Sequence, residues 1–191
     1  ARLAAESYLR RSGLNLSEQA VQDAAISTSV AGRMQVLGDD PLTVVDGAHN
    51  PAAITALVES LPELLGGRPL GLVLGVLEDK DAAGMLRTLL PLCELAWFTA
   101  PPSQRALSPA TLQSLAGQLG FEQSACESQP VRALAAARDW ARERGAAVLA
   151  TGSVYLVGDL LAHAKELDLD VAIGLEEPNE QGERLRGRGS P

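Results

Sequence analysis

Short apolar segments alternate with helical segments along most of this sequence. Runs of strand length lie at residues 42–45, 70–76, 95–99, 121–125 and 146–150. Segments with helical apolar spacing follow them, at residues 50–65, 80–90, 108–119, 131–144 and 154–166. Strands that alternate with helices of about 10 to 15 residues form βαβ units with parallel strands. The pattern therefore predicts an α/β fold, with a mostly parallel sheet and helices on both faces.

The first forty residues have a different pattern. Two helices are predicted, at 2–12 and at 17–27, and Ser17 is the N-cap of the second. Two short β-type runs, 34–37 and 42–45, flank a Gly-Asp-Asp-Pro segment, which predicts a hairpin. The chain begins without Met inside a helical pattern, so we expect a piece of a longer polypeptide.

Composition limits the classes of function. Hydrophobic residues make up 46% of the chain and aromatic residues 3%, so the core is expected to consist of Leu, Val and Ala. The formal net charge of −8 argues against general nucleic-acid binding, which needs a basic surface. Cys93 and Cys126 lack metal-ligand spacing and are expected to be reduced thiols. No membrane span or signal peptide is visible, which predicts a soluble, cytoplasmic protein.

Polar residues follow the predicted strand that ends near Val45. Asp46 supplies a carboxylate, and His49 an imidazole, next to the start of a helix at Asn50. Ligands of open α/β sheets bind beyond the carboxyl ends of strands, and helix N-termini favour anions. The alternative is that Asp46 and Asn50 only cap the turn and that His49 is a surface residue.

Two other predicted strand ends carry similar chemistry. The turn at 75–81 is rich in charge, although a helix cap by Asp79 or Asp81 explains it equally. The turn at 151–155 contains Ser153, whose hydroxyl suits a carboxylate ligand or an ordinary helix cap. Arg33 precedes the hairpin, and its planar donors suit phosphate oxygens, although a lone Arg is more often a surface residue.

Several common catalytic motifs are absent from the sequence. It lacks a Gly-x-x-x-x-Gly-Lys-Ser/Thr phosphate loop, a Gly-x-Gly-x-x-Gly dinucleotide motif and a Gly-x-Ser-x-Gly elbow. With two His residues and no suitable cluster, no metal site is predicted.

The ordered motifs resemble a known family. The blocks that carry the resemblance lie at residues 32–36, 45–51, 75–81, 99–101, 105–107 and 151–158. They occur in the order seen in folylpolyglutamate and dihydrofolate synthases of the Mur ligase superfamily, and Asp-Gly-Ala-His-Asn-Pro at 46–51 is the most specific. The sequence departs from the family at Gln35 and Val154, where the family more often has Glu and Leu.

The resemblance implies an ATP- and Mg²⁺-dependent ligase that joins L-glutamate to folate or dihydropteroate through an acyl phosphate. The implied fold is the Rossmann-like C-terminal domain of Mur ligases, preceded by two helices and a hairpin. Residues 1–31 would be the last helices of the ATP-binding domain and a linker, residues 32–167 the glutamate ligase domain, and residues 168–191 a disordered tail. The phosphate loop and Mg²⁺ ligands would lie in an N-terminal domain of the same polypeptide. The isolated chain is expected to be inactive and monomeric.

The resemblance also implies roles for individual residues. Arg33 would reach the ATP phosphates, and Asp46 would hold the adenosine ribose or orient the closing loop. His49, Ser153 and Tyr155 would lie near the incoming glutamate, with His49 and Asp46 as the catalytic residues. Replacing either catalytic residue with Ala is expected to lower turnover strongly with little loss of stability.

Two other functions remain open from the sequence. One is a Mur-type ligase for another amino acid or for peptidoglycan precursors. The other is a non-catalytic binding domain that has lost its ATPase half. The preferred folate and the length of the product chain are not readable from the residues.

Overall fold

The structure, a computed structural model, describes residues 2–28 and 30–169, without the side chains of residues 25–27. Its helices are α1 Arg2–Arg11, α2 Glu18–Ser27, α3 Pro51–Leu65, α4 Ala82–Leu89, α5 Pro109–Gln118, α6 Pro130–Arg144 and α7 Val154–Ala162. Its strands are β1 Gln35–Asp39, β2 Leu42–Asp46, β3 Leu70–Leu74, β4 Leu95–Phe98, β5 Ser124–Cys126 and β6 Ala147–Thr151. Short 3-10 turns follow α4, at Leu90–Leu92, and α7, at Ala164–Leu167.

The strands form one sheet in the order β1-β2-β6-β3-β4-β5. Strand β1 is antiparallel to β2, and the other neighbours are parallel. The predicted α/β fold with a mostly parallel sheet is confirmed. The predicted hairpin is also present, and its second strand, β2, is at the same time a parallel neighbour of β6.

Helices cover both faces of the sheet because strand side chains alternate between two cores. Leu72 and Leu74 of β3 pack in the core that includes α3, α4 and α5. Val73, between them, packs in the core that includes α6 and α7. Near this second core, Trp97 and Trp140 meet edge to face, with ring centroids 5.8 Å apart. Both Trp residues of the chain thus lie where α6 crosses the sheet.

Local hydrogen bonds at helix ends set where α3 begins and shift β5 from its predicted position. The side chain of Asn50 accepts a hydrogen bond of 2.8 Å from the N–H of Ala53, which starts α3 as predicted. The predicted strand at 121–125 lies instead at Ser124–Cys126. The reason is that the N–H of Phe121 bonds to the carbonyl of Ala116 and closes the end of α5.

The two ends of the described chain differ in packing. Helix α1 buries no residue, and Arg2 ties it to α2 through two hydrogen bonds to Glu18, of 2.8 and 3.1 Å. At the other end, Leu169 is buried, two residues beyond the predicted end of the ligase domain. The rest of the predicted tail lies outside the described residues. In the described ranges, no helix is long and apolar enough to span a bilayer.

Candidate functional site

Three strand ends with polar residues lie side by side at one edge of the sheet. Strands β2, β6 and β3 are consecutive and parallel. Asp46 at the end of β2 is in register with Thr151 of β6, and Thr151 is in register with Leu74 of β3. The turns that follow these strands, which the sequence singled out separately, are therefore neighbours.

Backbone hydrogen bonds join the three turns. The N–H of Gly152 donates to the carbonyl of Ala48 at 3.0 Å, and the N–H of Gly75 donates to the carbonyl of Thr151 at 3.2 Å. Gly152 has a φ of +105°, and a Cβ there would lie 2.7 Å from the carbonyl oxygen of Gly75. Only glycine fits this crossing, so the turns form one packed layer.

The carboxylate of Asp46 holds the backbone on two sides. Its side chain is nearly buried; Oδ2 accepts a hydrogen bond of 2.9 Å from the N–H of Met34, and Oδ1 accepts one of 2.7 Å from the N–H of Ala48. The Nη1 atom of Arg33 lies 3.9 Å from Oδ1. Both oxygens are engaged within the chain, which favours an orienting role over a contact with ribose.

The burial of Asp46 also changes an expectation about stability. Removing its carboxylate would leave the N–H groups of Met34 and Ala48 without their acceptor, and buried unpaired donors are costly. A substantial loss of stability is therefore expected for Asp46→Ala, in place of the small loss expected from the sequence.

The loop that carries Arg33 is packed tightly against this turn. The carbonyl of Gly32 accepts a hydrogen bond of 2.8 Å from the N–H of Gly47, and the N–H of Gly32 donates to Oε1 of Gln35, also at 2.8 Å. Met34, which was predicted to begin a strand, has a φ of +41° and turns the chain. Gln35, which stands where the family more often has Glu, supplies the acceptor oxygen for the N–H of Gly32.

His49 is oriented by its own turn. Its Nδ1 lies 2.9 Å from the carbonyl oxygen of Gly47. A carbonyl only accepts hydrogen bonds, so Nδ1 carries the hydrogen and Nε2 is the acceptor in the neutral ring. The side chain is half-buried at the sheet edge.

Ser153 and Tyr155 lie on the adjacent turn, which begins α7. Ser153 is buried, and its Oγ accepts a hydrogen bond of 3.1 Å from the N–H of Tyr155. The capping alternative therefore holds for Ser153, although its hydroxyl hydrogen can still be donated. Tyr155 is 47% exposed, so it is accessible to a ligand beyond the edge. Among the described side chains, no hydrogen bond links His49 to either residue.

The turn between β3 and α4 adds a group of charges that the predicted site did not include. The Nζ of Lys80 lies 2.9 Å from Oδ2 of Asp79, and this hydrogen bond is the main reason that the pKa of Asp79 is below its ordinary value. Asp81 caps α4 by accepting from the N–H of Gly84 at 2.8 Å. A Cβ on Gly84 would lie 3.0 Å from the ring of Pro51, so this turn meets the start of α3.

Lys80 was not among the site residues predicted from the sequence. It lies in the charged block at 75–81 that marked the second strand end. In the part of the chain that the structure describes, no group of three or more His, Cys, Asp and Glu residues is arranged to hold a metal ion.

Comparison with known proteins agrees with this geometry. Residues 32–154 match the family described as Mur ligase, glutamate ligase domain. The dihydrofolate synthase/folylpolyglutamate synthase of Escherichia coli K12 is 34% identical over 158 residues, covering 80% of this chain and 35% of that protein. A diaminopimelate-adding ligase, the UDP-N-acetylmuramoyl-L-alanyl-D-glutamate–2,6-diaminopimelate ligase of Corynebacterium glutamicum, is 32% identical over 148 residues, or 70% of this chain and 28% of the ligase.

A solved structure has the same architecture. The folylpolyglutamate synthase of Mycobacterium tuberculosis, complexed with ADP and AMPPCP, superposes with a TM-score of 0.73 at 28% identity. The match covers 80% of this chain and 36% of that protein, so the chain spans about a third of the length of such relatives. The resemblance to folylpolyglutamate and dihydrofolate synthases is confirmed, and by its match over residues 32–154 the chain belongs to the Mur ligase family, as a glutamate ligase domain.

Proposed function

We propose that the three joined turns form the amino-acid half of an ATP-dependent ligase site, which adds L-glutamate to folate or dihydropteroate. The observation that carries the proposal is the register of Asp46, Thr151 and Leu74 on adjacent parallel strands. This register places His49, Ser153 and Lys80 on neighbouring turns of a single edge.

The edge suits an anionic amino acid. Helices α3, α4 and α7 all begin there, and helix N-termini carry partial positive charge. Arg33 and Lys80 add full positive charges in a chain whose net charge is −8. A glutamate carries two carboxylates, and these can accept hydrogen bonds from Lys80 and from the hydroxyls of Ser153 and Tyr155.

His49 is suited to a proton-transfer role in this reaction. The glutamate amine must lose a proton as its nitrogen bonds to the acyl carbon and phosphate leaves. Because Nδ1 of His49 donates to Gly47, Nε2 is the ring nitrogen with a free lone pair. We assign it to accept the amine proton, or to hold the amine by a hydrogen bond as it attacks.

ATP supplies the phosphoryl group that activates the acceptor carboxylate. Arg33 fits a phosphate contact, since its side chain is half-exposed and its nearest carboxylate oxygen, on Asp46, is 3.9 Å away. The described residues offer no cluster for Mg²⁺, so its ligands are assigned to an ATP-binding domain. Asp46 acts by positioning the loop of Arg33 and the turn before His49.

An ATP-binding domain in the same polypeptide is the partner that this proposal requires. Two relatives named as folylpolyglutamate synthases are about three and about four times as long as the regions that match this chain. The isolated chain is expected to have no ligase activity, and a cytoplasmic monomer is our proposal for its location and state. Residues 1–31 as domain end and linker remain part of the proposal.

The test is an assay of the longer polypeptide that contains this chain. With ATP, Mg²⁺, L-glutamate and either dihydropteroate or a reduced folate, it should release ADP and form a glutamylated product. The isolated chain, assayed in parallel, should form none. Formation of product by the isolated chain would contradict the proposal. So would a rate of ADP release by the longer polypeptide that does not depend on L-glutamate.

A second function is favoured by one observation, the similarity to the diaminopimelate-adding ligase. The edge chemistry fits any amino acid that carries carboxylates, so the fold does not select glutamate. Parallel assays with muramyl-peptide acceptors and diaminopimelate separate the two functions. Turnover of those substrates alone would favour the second.

A further inference from the structure

The segment between β4 and α5 is held against the β3–α4 turn by its backbone. The N–H of Leu107 donates to the carbonyl of Val76 at 2.9 Å, and the N–H of Glu78 donates to the carbonyl of Arg105 at 2.8 Å. These bonds form an isolated antiparallel bridge between Leu77 and Ala106. The connection after β4 therefore supports the turn that carries Lys80.

The same connection has hydrogen bonds between its own residues and packs against the end of β3. The N–H of Arg105 donates to Oγ of Ser103 at 3.2 Å. The N–H of Ser103 donates to the carbonyl of Pro101 at 2.7 Å. A Cβ on Gly75 would lie 2.8 Å from the ring of Pro101, so the connection rests directly on the end of β3. The backbone of Arg105 is thus fixed relative to the sheet edge.

The Asp79 carboxylate is shared between two cations. Nη1 of Arg105 lies 3.6 Å from Oδ1, and Nζ of Lys80 lies 2.9 Å from Oδ2. All three side chains are partly exposed, at 53% for Arg105, 44% for Asp79 and 29% for Lys80. Arg105 is the outer partner and Lys80 the more buried one, so Asp79 relays the position of one cation to the other.

We propose that Arg105 is a positioning residue, which fixes the Asp79 carboxylate and thereby holds the Lys80 ammonium in place to bind a carboxylate of the incoming amino acid. This inference rests on the proposed function, which uses Lys80 as a substrate contact. Without Arg105, the Asp79 side chain is free to rotate, and Lys80 follows it. The amino acid is then bound less tightly, while activation of the acceptor by ATP is unchanged.

The expected kinetic signature is a change in KM for the amino acid. In the longer polypeptide, Arg105→Ala should raise this KM about two- to fivefold, the scale of an exposed ion pair, and change kcat less than about twofold. Arg105→Lys should recover part of the loss, because it restores the charge but not the planar fork. The KM for ATP should stay at its original value.

Two further variants test the relay itself. Asp79→Asn should raise the same KM. The double variant Arg105→Ala/Asp79→Asn should have a KM no higher than that of the single variant with the larger effect, since both substitutions remove the same interaction. Arg142→Ala is the matched control. It removes another exposed Arg–Asp pair, to Asp139 at 2.6 Å, on helix α6 away from the connection. This control should leave every kinetic constant unchanged.

The outcomes separate this inference from the proposed function. If Lys80→Ala raises the KM for the amino acid and Arg105→Ala does not, the relay is wrong and the proposed function stands. If Lys80→Ala leaves that KM unchanged, Lys80 does not contact the amino acid. The positioning role of Arg105 is then also wrong. A fall in kcat and thermal midpoint together in Arg105→Ala, without a KM change, would show a purely structural role.

Discussion

The backbone N–H of Met34 donates a 2.9 Å hydrogen bond to Oδ2 of Asp46, twelve residues further along the chain. The other oxygen of Asp46 accepts from the N–H of Ala48, directly before His49. One carboxylate thus orders both the loop of Arg33 and the turn of His49. This arrangement gives the Asp at the end of β2 a role in ordering the backbone; a contact with the adenosine ribose stays a prediction.

The first prediction concerns the stability role of Asp46. Asp46→Ala should lower the free energy of unfolding by about 2 to 6 kcal/mol, because two backbone donors lose their acceptor at about 1 to 3 kcal/mol each. Asp46→Asn retains one acceptor oxygen and should cost less. Urea unfolding of the isolated chain measures both. The exposed Asp139→Asn serves as control, and a loss below about 0.5 kcal/mol in Asp46→Ala would contradict the assigned bonds.

The second prediction tests the packing of the three turns through Gly152. Gly152→Ala should lower the free energy of unfolding by at least about 3 kcal/mol, since its Cβ meets a backbone carbonyl at a positive φ. Gly145→Ala is the control. Gly145 has a φ of +61°, and a Cβ there has no neighbour within 4 Å. It should cost about 1 kcal/mol. Equal losses in the two variants would show that the turns are not in close contact.

The third prediction concerns the two thiols. Burial raises the pKa of Cys93 to about 12, and its Sγ donates to the carbonyl of Leu89. Cys126 is exposed. With an aromatic disulfide reagent at pH 8, Cys126 should quickly form a mixed disulfide and displace one equivalent of aromatic thiolate from the reagent, because its sulfur is exposed while that of Cys93 is buried and protonated. Cys126→Ser should abolish this fast phase. Two fast equivalents from the native chain would place Cys93 at the surface.

The fourth prediction is a pH dependence at the end of α7. The carbonyl of Asp159, 2.8 Å from Nδ1 of His163, is the main cause that raises the pKa of His163, and the carboxylates of Asp159 and Glu166 add to it. A raised pKa means that the stabilisation is complete below about 6.5, the unfolded value, and is lost as pH rises through the folded value. His163→Gln should therefore lower the urea midpoint more at pH 5.5 than at pH 8.5. An equal or reversed difference would contradict the assignment.

Much of the fold was predictable, because apolar periodicity and capping residues act locally. Asn50, Ser108 and Ser153 cap the helices that they were expected to begin. The strand order was not predictable in this way. Insertion of β6 between β2 and β3 depends on packing between distant segments, and it is this insertion that brings Gly152 beside Ala48.

The site was predictable in outline and not in its contacts. The blocks at 45–51, 75–81 and 151–158 each lie at the end of a strand, and backbone hydrogen bonds join their turns. The bond from Met34 to Asp46 requires a positive φ at a residue other than glycine, which no local pattern signals. The pair of Arg105 and Asp79 joins exposed residues from separate connections, and exposed charges have no periodicity to indicate a partner.

In the proposed function, these turns act after ATP has activated the acceptor, by presenting the amino acid. The most direct test is hydroxylamine trapping of the acyl phosphate in the longer polypeptide, with and without His49→Ala. The variant should form trapped hydroxamate at the original rate, while its addition of glutamate falls by about a hundredfold or more. Undiminished glutamate addition, or loss of hydroxamate and product together, would contradict the claim.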